Sequence, residues 1–408
     1  MQLTQPHIAF KELHKTCFTY PAIDNHAHPL LKEAHRDRYA FEGLISEAQG
    51  TALTVDAVHT LACLRATPQL AHVLGVESAT WEDIKATRSQ LDYADLCEMF
   101  MRPTGIQCLL LDDGLGGVEE FAENLEWHDR FTAAPTKRIV RVEIVAEGIL
   151  KSLFPQNSSI LHQFNDRLLA SLTESATNPN VVGFKSIACY RTGLDISPSA
   201  ESDEDILVCL NSALQTYRET GTLRLALKAL NDHIVRMALQ VAGEYKKPVQ
   251  FHTGLGDNDI TLNRSSPSHL QAVIRTFPNT IFVLLHSSYP FTREAGYLTA
   301  VYPNVFLDFG EVFPFVSGAG QRSIIQQVLE LCPTNKILWS TDGHWWPESF
   351  YLGTLQARQV LYAVLSDTVS AGELLERAAA LIAENALFHN ANRVYSLGLE
   401  PNLSIVNS

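Results

Sequence analysis

The chain has 408 residues, 46% of them hydrophobic, with a formal charge of −14 and a pI of about 5.5. The acidic balance argues against nucleic acid, which needs clustered Lys and Arg. No run of about 18 apolar residues occurs, so neither a membrane-spanning helix nor membrane attachment is expected.

The first six residues, Met1 to Pro6, lack the charged start and apolar run of a signal peptide. Seven dispersed cysteines (Cys17, Cys63, Cys97, Cys108, Cys189, Cys209, Cys332) form no CxxC. An odd, scattered set reads as reduced thiols in an intracellular, cytoplasmic protein.

In chain order, residues 1–19 read as a leading helix and 21–26 as the first strand. That strand runs into His26-Ala27-His28. Residues two apart on a strand share a face, so both imidazoles can hold one metal ion. Asp24 shares that face and reads as a supporting carboxylate. Residues 30–104 lack strand signals, and Thr54–Leu64 and Ala79–Met101 show helical spacing. This stretch reads as a helical insertion roofing a site, with His35, Arg36, Asp37 and Arg38 near its mouth or on a solvated helix start.

From residue 105 the texture changes. Gly105–Asp112 is a second strand, 117–130 a helix, Lys137–Val145 a third strand and 157–176 a helix. Val181–Ala188 is a fourth strand, and 200–245 holds one or two helices. Strands five and six end at His252 and His286, with a helix near 267–277 between them. Asn304–Phe309 is the seventh strand, 320–331 a helix and 336–341 the eighth strand, followed by Asp342. Residues 353–366 and 371–386 are further helices.

Apolar strands alternating with helices predict a parallel sheet buried on both faces. Eight of them predict an α/β fold, a (β/α)8 TIM barrel, with the insertion after strand one and extra C-terminal helices. No linker or repeat divides the chain, so residues 1–408 are expected to form one domain. His59, His72, His128, His162, His233 and His269 read as structural or surface residues.

In such a barrel, functional groups gather at the C-terminal ends of the strands. His26, His28, Lys185, His252, His286 and Asp342 all fall there. Imidazoles with a carboxylate suit Zn²⁺, as one or two ions, or Mn²⁺ or another divalent transition metal. Such an ion acidifies a bound water to about pKa 7, and Asp342 could accept its proton. Softer candidates for substrate contact are Tyr190, Arg191, Asp257, Tyr289, Glu311, Arg322, His344 and Trp345. Arg191 and Arg322 could grip a carboxylate, and Asp257 or Glu311 an ammonium group.

This constellation resembles the amidohydrolase superfamily. The segments Gly183–Arg191, Phe251–Asp257 and Ser340–His344 resemble its amidohydrolase-2 branch. Within it they are most similar to the amidohydrolase portion of the FluG- and nodulin/glutamine-synthetase-like fusion proteins, over about residues 20–390. The resemblance implies that His26 and His28 bind the more buried metal with Asp342, and that His252 binds it or a second ion. His286 is then a ligand in a two-metal site, or a free base or proton donor in a one-metal, decarboxylase-like site. Lys185 is carbamylated between two ions, or a plain cation that binds a substrate carboxylate.

The implied reaction is metal-dependent hydrolysis of a C–N amide bond in a small molecule, such as a γ-glutamyl amide, with Asp342 and His286 as catalytic residues. Non-oxidative decarboxylation on the same barrel is one alternative. A silent barrel acting as a scaffold is another. A homodimer is compatible with the composition.

Overall fold

Each of the eight apolar runs becomes a strand because it carries hydrophobic side chains on both faces and is bounded by polar residues. The computed structural model describes residues 9–77, 79–115, 119–154 and 159–405. The strands are β1 (Ala22–Ala27), β2 (Ile106–Asp112), β3 (Lys137–Arg141), β4 (Val181–Ser186), β5 (Val249–Phe251), β6 (Phe282–Leu284), β7 (Val305–Asp308) and β8 (Ile337–Leu338). They pair in parallel in the order β1 to β8. The seam between the first and last strands is closed by backbone bonds from Asn25 N to the Trp339 carbonyl (3.2 Å) and from Asp342 N to the His26 carbonyl (3.0 Å). The fold is a (β/α)8 barrel.

One apolar cluster fills the barrel interior. Ile23, Cys108, Leu110, Ile139, Val283 and Leu338 from five strands pack with Phe388, Ala391 and Tyr395, which plug its lower end. The Tyr395 hydroxyl donates to Asn25 Oδ1 (3.0 Å) and accepts from Gln250 (2.8 Å). A larger cluster fills the space between barrel and helices.

Several expected boundaries move. The third strand stops at Arg141, and Val142–Ser152 is a helix. The β-branched Val142, Ile144 and Val145 mimic a strand, yet their spacing also suits a helix packed on the sheet. Of the helix expected over 117–130, residues 117 and 118 lie outside the described residues, and only the short 3-10 turn Glu126–Phe131 forms. Likewise 1–8 and 157–158 lie outside; helices Lys11–Thr19 and Ile160–Thr177 follow them. Residues 200–245 form two helices, Asp203–Thr220 and Lys228–Tyr245. Near the C-terminus one helix runs Pro347–Ser370, started by a proline in its first turn, and the next begins at Glu376. Helix Thr292–Val301 was not anticipated.

The insertion between β1 and β2 is helical, with Leu61–Leu74, Trp81–Gln90 and Tyr93–Met101. Asp92 breaks the stretch expected as one helix, because its side chain caps the N–H groups of Ala94 and Asp95. Aromatic contacts tie the insertion to the loop after β8. Tyr39 stacks on Trp345 (4.1 Å between centroids), and Phe41 meets Trp346 edge-on (5.7 Å). None of the described helices is long and apolar enough to cross a membrane.

His128 pins the loop after β2 to the loop after β1. Its Nε2 accepts from Leu30 N (3.0 Å), and its Nδ1 lies 2.8 Å from the Asn124 carbonyl. Burial lowers its pKa from 6.5 to about 4. A neutral buried imidazole stabilises fully above pH 6.5, and that contribution drains away as pH falls towards 4. Wild type is therefore expected to lose stability relative to His128→Gln by about 1.4 kcal/mol per pH unit in that window. Urea midpoints at pH 7 and pH 5 measure this. An unchanged gap between the two proteins would show that His128 does not carry it.

Candidate active site

All eight strand ends contribute a polar side chain at or just beyond their last residue. The set is His26, Asp112, Arg141, Lys185, His252, His286, Asp308 and Asp342; five lie within their strands, His252 follows β5 directly, and His286 and Asp342 stand on the loops after β6 and β8. Asp112, Arg141 and Asp308 were not anticipated, because each reads in sequence as an ordinary strand-end charge.

Two groups of possible ligand atoms converge. His26 Nε2 lies 3.2 Å and His28 Nε2 3.5 Å from Asp342 Oδ1. His252, His286 and Glu311 form a second trio, with one donor atom of each within 4.8 Å of the others. The His26 and His286 rings lie 5.5 Å apart and the His252 and His286 rings 4.2 Å. His26 Nδ1, both His286 ring nitrogens, Glu311 Oε2 and Asp342 Oδ1 are buried without a hydrogen-bond partner. Buried polar atoms are nearly always satisfied, so a cluster of orphans marks the place of an ion.

The surrounding bonds fix the tautomers. His28 Nδ1 donates to the Asp112 carbonyl (2.8 Å), leaving Nε2 free to ligate. His252 Nε2 donates to the Leu255 carbonyl (2.6 Å), leaving Nδ1. The residues present therefore fit one or two divalent transition metals.

Supporting carboxylates hold the frame. Asp24 accepts from the Thr341 N–H (2.9 Å) and the Thr341 hydroxyl, and so sets the approach to Asp342. Asp308 accepts from His286 N (3.2 Å), Gly310 N (2.9 Å) and the Ser340 hydroxyl (3.0 Å). Burial pushes Asp24 up to about 8 and Asp308 up to about 6. Asp112 goes the other way: burial opposes its charge, but Arg141, with His28 and Lys185 behind it, holds the carboxyl well below the usual range.

Burial, then the Lys185 charge, lowers His26 to about 3. It also drives His252 and His286 far down, so all three imidazoles stand neutral and ready to ligate. Burial would raise Asp342, yet the imidazoles of His286, His26 and His28 around it hold it well below the usual carboxylate range. Lys185 Nζ lies 2.8 Å from His26 Nε2, and burial lowers its pKa.

Strained backbone gathers here. His286, Ser287, Ser288, Glu311, Asp342 and Trp345 all have positive φ, from 50° to 68°. Gly254 (φ +78°) lets the His252 loop pass this turn, since a Cβ there would stand 2.3 Å from the Tyr289 carbonyl oxygen.

The site opens into a cavity of about 1050 Å³. Of the softer candidates, Tyr190, Arg191, Asp257, Glu311, His344 and Trp345 line it. The Tyr190 ring lies 4.5 Å from that of His252, and His344 Nδ1 lies 3.0 Å from the Asp342 carbonyl. Tyr289 and Arg322 are not among the lining residues. Arg322 stands exposed on helix Gly318–Leu331, where its neighbour Gln321 takes the buried face. The insertion charges also stay outside. Arg36 binds backbone carbonyls of Arg88 and Leu91, Arg38 lies over the Phe121 ring, and the exposed Asp37 faces Arg88. His35 packs on Phe121. The insertion instead delivers Glu47, a lining residue that no local pattern singles out.

A sequence model of the amidohydrolase family (Amidohydro_2) matches residues 207–397. The protein fluG of Emericella nidulans is 45% identical over 406 residues, covering 94% of this chain and 46% of that protein. The chain thus spans about half the length of this relative. A crystal structure from Lactobacillus casei ATCC 334, described as a candidate metal-dependent hydrolase, superposes with a TM-score of 0.80 at 22% identity, over 94% of this chain and 97% of that one. A uronate isomerase from Bacillus halodurans C-125 superposes with a TM-score of 0.67 at 13% identity, over 100% of both. These two likenesses show the shared barrel. Residues 207–397 thus match the amidohydrolase family, and the sequence likeness to fluG runs over nearly the whole of this chain.

Proposed function

We propose that this chain is a metal-dependent hydrolase that cleaves the C–N bond of a small carboxylate-bearing amide of the γ-glutamyl kind. The observation that carries this reading is the convergence of two donor groups, with orphaned buried atoms, on one cavity. When bound there, a divalent ion supplies Lewis acidity and an acidified water.

The chain's own residues do the rest. His28 and His252 hold position through fixed tautomers. Asp342, kept ionised, takes the proton of the attacking water at Oδ1 and passes it to the leaving nitrogen. His286, with two free ring nitrogens and a backbone anchored by Asp308, ligates or steadies the carbonyl oxygen. Lys185 sits beside His26, 2.8 Å from its Nε2; as a carbamate it would add an anionic ligand, and as an amine it would face a substrate carboxylate.

Protein purified with Zn²⁺ and bicarbonate tests the reading through metal content, intact mass and a panel of amides. Retained metal with amine release is the expected result. Release of CO₂ from carboxylic acids without amide cleavage would replace it with decarboxylation. Failure to retain any metal would leave a scaffold.

A further inference from the structure

Glu47 stands on a short loop of the insertion, where Ser46 Oγ accepts from Ala48 N (3.1 Å). It lines the same cavity as His28, Lys185, His252 and Asp342, and has no hydrogen-bond or ion-pair partner among the described residues. Burial, together with the charges of Asp342 and Asp257, pushes its carboxyl up to about 8. Asp257 lines the cavity as well. One of its oxygens accepts from Asp259 N (2.9 Å), and no cation pairs with it. Glu311, 1% exposed with Oε2 unpartnered, completes an anionic wall.

The arginines of the cavity are already engaged. Arg141 binds Asp112 (2.6 Å), Arg224 binds Asp259 (2.8 Å), and Arg191 faces Glu147 (3.6 Å). Glu311 belongs with His252 and His286 as a possible ligand, whereas Glu47 belongs to neither converging donor group. Glu47 and Asp257 are only partly buried, yet neither has a cationic partner, so they leave a place for a positive charge that no arginine of the cavity supplies.

We propose that Glu47, with Asp257, binds a protonated amine on the substrate, so that the preferred amide carries a cationic nitrogen apart from the bond that breaks. Glu47 is thereby a specificity residue supplied by the roof. This deepens the amide-hydrolase reading and rests on it.

The test compares two amides that differ only in a primary amine against a hydroxyl at the same position. Wild type is expected to favour the amine by about tenfold or more in kcat/KM, carried by KM, the scale of a charge-assisted hydrogen bond. In Glu47→Gln that ratio should fall towards one. Asp257→Asn is a second variant with the same expected direction, and zinc content and melting temperature verify the fold of each. A ratio unchanged by either variant, or a wild-type preference for the hydroxyl, overturns the proposal.

If no amide is cleaved, the hydrolase reading fails by itself, and calorimetric titration of the zinc-loaded protein with diaminobutane still tests Glu47. Binding that weakens about tenfold in Glu47→Gln supports the site. Equal binding, or none, overturns it.

Discussion

Asp342→Asn is expected to lower turnover by about 10³-fold or more, within the range of a lost proton-transfer group. The fold should survive. The Asp342 N–H is held by the His26 carbonyl (3.0 Å), and its own carbonyl faces His344 Nδ1 (3.0 Å), so the backbone stays in place at φ 53°. The amide, however, turns an N–H₂ group towards His26 Nε2 or His28 Nε2, where the carboxylate offered a lone pair. It can neither take a proton from water nor balance a cation's charge. Rates on the amide found by screening, with metal content and melting temperature, separate these effects. Activity within tenfold of wild type would assign the proton transfer to another group.

The second large effect is structural. Arg88 lies in the insertion, and its Nε donates to Glu348 Oε1 (2.6 Å) at the start of the long helix after β8. The side chains are 3% and 0% exposed, and the guanidinium lies over the Phe41 ring at 4.4 Å. Arg88→Ala is expected to destabilise the protein by about 3–5 kcal/mol, because it strands a buried carboxylate. The double variant Arg88→Met, Glu348→Leu should recover most of that loss, since a well-packed apolar pair replaces both charges. Denaturant unfolding measures both. A cost below about 1 kcal/mol for the single change would mean that water reaches Glu348 and that the roof is looser than it looks.

Much of the barrel was legible because the signals are local. Phe251-His252 and Leu285-His286 each put a ligand-type residue directly after an apolar strand, and the barrel rule then brings them together. The helices were harder where two local rules competed. Val142–Val145 looks like strand, and only packing on the sheet makes it helix. The 117–130 segment has apolar spacing, yet its described part folds as turns that carry Leu30 N to His128.

Site residues whose meaning is a tertiary relation were invisible. Nothing around Arg141 signals that its partner is Asp112, one strand away. Glu47 reads as a loop acid until the insertion folds over the barrel. Arg322 illustrates the converse, since its chemistry suits a carboxylate while its helix face points to solvent.

The seam of the barrel would give a bound metal a timing role. His26 and His28 are made early and Asp342 more than three hundred residues later, yet they meet across the junction where β8 closes on β1. On the ribosome the first imidazoles must wait, uncaged, until the eighth strand emerges. An ion that binds only the closed arrangement favours closure by mass action, more strongly as its free concentration rises. A centre that held such an ion would thus also be the clasp of the barrel. A cell short of the ion would hold chains that are fully synthesised yet still able to spring open along that one line.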